Sequence, residues 1–127
     1  MSKYLITGDH KWTDIDYIRK YLNTLPKGSK VYYGGHDTGV EYSITSYDIK
    51  CKCKKITIHN FYDKTIKYVE GDTRIECFRL LRMTMDIKPD IIVFFHNDFE
   101  QNVNISRTLD ILSKKGYEII IVKNIYY

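Results

Sequence analysis

The stretch "VYYGGHDTGVEY", Val31 to Tyr42, holds the handover on which the fold turns. "KVYYGG" at 30–35 reads as a strand that stops at two glycines. Gly39 then opens a segment in which Val40, Ile44 and Tyr47 recur at helical spacing, so a helix is expected over Thr38 to Asp48. Glycines at such a junction either make a tight turn or let something approach bare backbone.

The same strand-then-helix alternation extends in both directions. "KYLITG" at 3–8 is a short apolar run closed by Gly8. "WTDIDYIRKYLNTL" at 12–25 follows as a helix, with Thr13 or Asp14 as its cap and Ile15, Ile18, Tyr21, Leu22 and Leu25 recurring at helical spacing. Pro26-Lys27-Gly28 stops it. Downstream, "KKITIHNF" at 54–61 alternates apolar and polar residues as a strand does. A helix is expected over Asp72 to Asp86, with Ile75, Phe78, Leu81 and Met85 as its apolar positions and Lys88-Pro89 as its stop. "DIIVFF" at 90–95 is unbroken in its apolar character, which predicts a strand buried on both faces. "EQNVNISRTLDILSKKG" at 100–116 reads as a helix with Val103, Ile105, Leu109 and Leu112 inward, and "YEIIIVK" as a last strand. This alternation predicts an α/β domain, a five-stranded parallel sheet with helices on both faces. At 127 residues it forms one domain, 1–127.

Composition narrows the function classes. The chain is 43% hydrophobic and 28% charged, as globular proteins are. It has no long uncharged apolar stretch, so no membrane span is expected, and "MSKYLITG" lacks a secretory signal. A cytoplasmic location is the expectation. A net charge of +4 tolerates an anionic ligand, but without a basic stripe it argues against nucleic acid as a partner. Three cysteines, Cys51, Cys53 and Cys77, do not suit a disulfide framework. The Cys51-x-Cys53 spacing is short for zinc, and His36, His59 and His96 are isolated, so neither a metal nor another cofactor is expected.

In an open parallel sheet, ligands sit beyond the carboxyl ends of the strands, where the strand order reverses. Three loops meet that condition: "TGDHKWTD", "GGHDTG" and "HNDFEQN". Backbone N–H groups at helix starts suit phosphate, and the glycines would clear room for it.

"YLITGDHKWTD" resembles the "ITGSRxWTD" opening of the SLOG superfamily, in its small Rossmann-like branch related to YspA, DprA and the LOG (lonely guy) proteins. "VYYGGHDTGVE" stands where that family has "xxHGGAxGxD", and "RLLRM…PDIIVFF" resembles its "RNxxM…PDxVVAF". The resemblance covers most of residues 3–122. It implies a Rossmann-like three-layer sandwich with strand order 3-2-1-4-5 that binds nucleotides or nucleotide-derived ligands. It also implies that Gly34, Gly35 and Gly39 approach phosphate, with Thr7 and Gly8 on the floor of the site. Arg79 would pair with phosphate, and Trp12 would stack on a base or anchor the first helix. Asp9, His10, His36, Thr38, His96 and Asn97 complete the expected ligand-binding set. A homodimer through helices is implied as well.

The chain departs from the family in two places. "HNDFEQNVNIS" replaces the second glycine-rich loop, and the "PGGxGTxxE" segment of the LOG enzymes has no counterpart. A binding protein that senses, carries or sequesters its ligand needs no general acid or base, and this is the expected function. The alternative is a phosphoribohydrolase-like hydrolase of an N-glycosidic or phosphoester bond. It would use Glu41 as catalytic carboxylate, with His36, Asp37, Asp98 and Glu100 as further candidates. DNA binding is the second alternative.

Overall fold

The computed structural model describes residues 2–34, 39–51, 56–60 and 73–124. The elements alternate as β1 (Lys3–Gly8), α1 (Ile15–Thr24), β2 (Lys30–Tyr33), α2 (Gly39–Cys51), β3 (Thr57–Asn60), α3 (Thr73–Ile87), β4 (Ile91–Phe95), α4 (Val103–Lys114) and β5 (Glu118–Val122). All five strands run parallel in the order β3-β2-β1-β4-β5, the expected Rossmann-like arrangement. In the central pair, Thr7 lies opposite Phe94 and Gly8 opposite Phe95.

Side chains alternate across the sheet, as the strand period requires. Tyr4, Ile6, Val93 and Phe95 face a core shared with Ile18 and Leu22 of α1 and with Val40, Ile44 and Tyr47 of α2. Leu5, Ile92 and Phe94 face the other core, with Leu80, Met83 and Ile87 of α3 and Ile105, Leu109 and Leu112 of α4. The two helix pairs therefore occupy opposite faces, and the chain changes direction between β1 and β4. "IIVFF" is buried on both faces from Ile92 onward, in keeping with its unbroken apolar run.

Local chemistry sets the helix ends. The Asp14 carboxylate accepts the Tyr17 N–H at 3.0 Å, which makes it the cap of α1. The segment expected as one helix from residue 100 divides. A single 3₁₀ turn covers Phe99–Gln101, and α4 starts afresh where the Asn102 side chain accepts the Ile105 N–H at 3.0 Å.

Two expected inward faces are corrected. In α3 the buried positions are Arg79, Leu80, Met83, Thr84 and Ile87, whereas Phe78 and Met85 are exposed. The inward face carries an arginine and a threonine, so the apolar pattern points to the wrong side of the helix. Thr84 is accommodated there because its hydroxyl donates to the Leu80 carbonyl at 2.8 Å. In α4, Val103 is exposed because it lies in the first turn, beyond the sheet.

Trp12 is buried and packs edge-on against Phe95 at 5.5 Å between ring centres, and its indole N–H donates to the Asp14 carbonyl at 2.9 Å. Tyr21 meets the same Phe95 ring at 5.2 Å. Trp12 is thus the anchor of the start of α1 and has no face left for a base. Removing the shared ring should be severe. Phe95→Ala should lower unfolding stability by about 3–5 kcal/mol in chemical denaturation. It should also shift the emission of Trp12, the single tryptophan, toward the red.

Candidate functional site

A cleft opens at the point where the sheet changes direction, between the carboxyl ends of β1 and β4 and the first turns of α3 and α4. It holds about 560 Å³ of space, its open mouth included. The floor is apolar, made by Leu80, Met83, Phe94 and Ile105. Above it stand Thr7, Gly8, His10, Glu41, Glu76, Arg79 and His96, with Cys77 and Thr108 on the helix side. Strand periodicity places Thr7 on the face of Leu5, and His96 on the face of Phe94, whose ring it stacks on at 5.6 Å. Helices that follow parallel strands begin at the strands' carboxyl ends, so the first turns of α3 and α4 must frame this edge.

The deepest polar feature is an ion pair. Arg79 and Glu41 are both buried, and the guanidinium reaches the carboxylate through Nη1–Oε2 at 3.3 Å and Nη2–Oε1 at 3.5 Å. Arg79 also donates to the Gly34 carbonyl at 3.4 Å. A Cβ on Gly34 would strike Glu41 Oε1 and lie 2.5 Å from Arg79 Nη2. Gly34 is therefore glycine to admit this pair.

Gly39 and Gly8 have similar causes. Gly39 has φ +67°, and a Cβ there would collide with Asp9 O and lie 2.5 Å from the Cα of His10. A Cβ on Gly8 would strike the Phe95 carbonyl oxygen. Each absent side chain makes room for a neighbouring part of this protein. The Asp9 carbonyl accepts the N–H groups of Trp12 and Val40, which docks the start of α2 onto the loop after β1.

A row of acids and imidazoles runs along the rim. His10 Nδ1 lies 2.7 Å from Glu76 Oε1 and 3.8 Å from Asp9 Oδ1. On the other side, Asp9 Oδ2 is 3.9 Å from His96 Nε2, and His96 Nδ1 is 3.2 Å from Asp98 Oδ1. Asp9, His96 and Asp98 each offer a donor atom, all within 4.8 Å of one another, and among the described residues they form the group that could hold a metal ion. Cys77 stands on the helix side of the cleft. Burial pushes its thiol above the ordinary value, and the Glu76 charge adds to this against an opposing hydrogen bond with Thr108.

Of the residues expected from sequence, Thr7, Gly8, His10, Glu41, Arg79 and His96 meet in the cleft. Asp9 lies behind it, between the two histidines. Asn97 turns away and exchanges hydrogen bonds with Asn124 at 2.7 and 2.8 Å. Glu100 is exposed and paired with Lys123, which holds its carboxyl below the ordinary value. Gly35, His36, Asp37 and Thr38 lie outside the described residues. Glu76, Cys77 and Thr108 were missed. The signal for them was topological, since they occupy the first two turns of helices that must begin at this edge.

No protein-family model matches the chain, and the search of curated proteins returns no match.

Two measurements check this geometry. Arg79→Met alone should destabilise the fold by about 3–5 kcal/mol, because it leaves Glu41 buried and unpaired, whereas Arg79→Met with Glu41→Leu should recover most of that loss in a double-mutant cycle. Peptide-level mass spectrometry of iodoacetamide-treated native protein should find Cys77 alkylated more slowly than in the urea-unfolded chain at pH 8, with the gap narrowing as the pH rises.

Proposed function

We propose that this chain binds a nucleotide or nucleotide-derived small molecule, as a SLOG-type Rossmann-like protein that senses, carries or sequesters its ligand. One observation carries the reading: the cleft lies at the reversal of the strand order, with an apolar floor under a rim of buried polar groups. Sites for small ligands in such sheets combine these elements, with apolar surface supplying area and a few placed polar groups fixing orientation. Binding alone uses every feature of the cleft and calls for no general acid or base. The reading includes a cytoplasmic protein that pairs with itself, and the exposed Phe78 and Met85 on α3 supply an apolar face for that pairing.

A hydrolase is the second reading, and the burial of Glu41 favours it. A carboxylate in the cleft wall, shielded from water, is a group that could support an oxocarbenium-like sugar. Its partner in the wall is Arg79, at 3.3 Å.

Incubation with a panel of nucleosides and nucleotides separates the two. Thermal shift reports binding and mass spectrometry reports turnover. Binding predicts stabilisation without released base or ribose phosphate, and Cys77→Phe, which fills the cleft from its helix side, should weaken it at least about tenfold. Release of base that disappears in Glu41→Gln would establish the hydrolase instead. No shift with any member of the panel would overturn both.

A further inference from the structure

The charges around the cleft favour one end of such a ligand over the other. Among the described residues the lining holds two carboxylates, Glu41 and Glu76, with one arginine, two histidines and no lysine. Arg79 is already committed to Glu41 and to the Gly34 carbonyl. Asp9 and Asp98 flank His96 at the edge and add two further carboxylates. The described residues around the site thus carry four carboxylates against one arginine, in a chain whose net charge is +4. Several main-chain donors along the described part of the rim are also engaged. The N–H groups of Asp9, Lys11, Trp12, Val40, His96 and Asp98 each donate to an acceptor within the protein. An anion entering here would meet like charges in a partly water-excluded space, where their repulsion is strengthened.

We propose that the cleft takes the uncharged nucleoside end of its ligand and leaves any phosphate outside. The inference rests on the binding reading above and specifies its chemistry. An ionised carboxylate only accepts hydrogen bonds, so Glu41 and Glu76 suit the hydroxyls of a ribose or the amino group of a base. The floor of Leu80, Met83, Phe94 and Ile105 suits the flat face of a base. Recognition is then of a polyhydroxylated, amine-bearing and neutral moiety. The glycines at 34 and 39 take part by seating Glu41 and the His10 loop.

The test is calorimetric titration of the intact protein, in chelator to exclude metal bridging. The probes are the four common ribonucleosides, their 5′-monophosphates, ribose 5-phosphate and inorganic phosphate. The expected result is that at least one nucleoside binds as tightly as its own 5′-monophosphate or more tightly, and that neither phosphate probe competes. Glu76→Gln, which removes one charge and keeps the shape, should shift the preference toward the monophosphate by about threefold or more, with circular dichroism and melting confirming the fold. A monophosphate that binds tenfold or more tightly than its nucleoside, or competition by inorganic phosphate, would overturn this inference and leave the binding reading intact. Failure of every nucleoside and nucleotide to bind would overturn both.

Discussion

The ion pair between Glu41 and Arg79 links the two halves of the molecule. Glu41 belongs to α2, which packs on one face of the sheet, and Arg79 to α3, which packs on the other. Their contact passes over the carboxyl edge of the sheet beside Gly34. Desolvating two charges is expensive, and the return on a buried pair depends on geometry and on how many of its hydrogen-bonding positions are filled. Here the guanidinium reaches both carboxylate oxygens and a main-chain carbonyl. The wall of the cleft is built from this arrangement, so whatever disturbs the pair also disturbs the site.

The fold was legible because its signals were local and repeated. Five apolar runs alternating with four helical periods leave few alternatives once right-handed crossovers are required. Thr13 or Asp14 and the Pro26-Lys27-Gly28 stop could be read as the limits of α1, and the structure selects Asp14 as the cap. The reading failed where a helix uses polar residues inwardly. In α3, Phe78 and Met85 carry the apolar signal and face out, while Arg79 and Thr84 carry none and face in. Hydrophobic period reports the buried side only when burial is apolar. An inward arginine with its partner 38 residues away cannot be seen in a window of that helix.

The site was legible in location and less so in content. The rule for open parallel sheets pointed to the loops after β1, β2 and β4; the cleft takes in Thr7, His10 and His96 from the first and last, and residues 35–38 after β2 lie outside the described residues. Glu76, Cys77 and Thr108 escaped notice because they lie on helix turns rather than in loops. Asn97 was plausible by position, yet the segment after β5 captures it through Asn124. Such captures depend on which segments meet in space, and no spacing of residues reports them.

The glycines show the same limit most clearly. A glycine in a sequence signals that a side chain would not fit, and it leaves open what occupies the space. At Gly34 the occupants are the Glu41 carboxylate and the guanidinium of Arg79, and at Gly39 it is the loop after β1. Filling that space with protein still leaves the cleft with chemistry to offer. A carboxylate has about four lone-pair sites, and a guanidinium bonded to both of its oxygens leaves some of them unused. Those remaining positions accept hydrogen bonds and donate none. The acceptor character of this wall therefore follows from Glu41, seated where Gly34 carries no side chain.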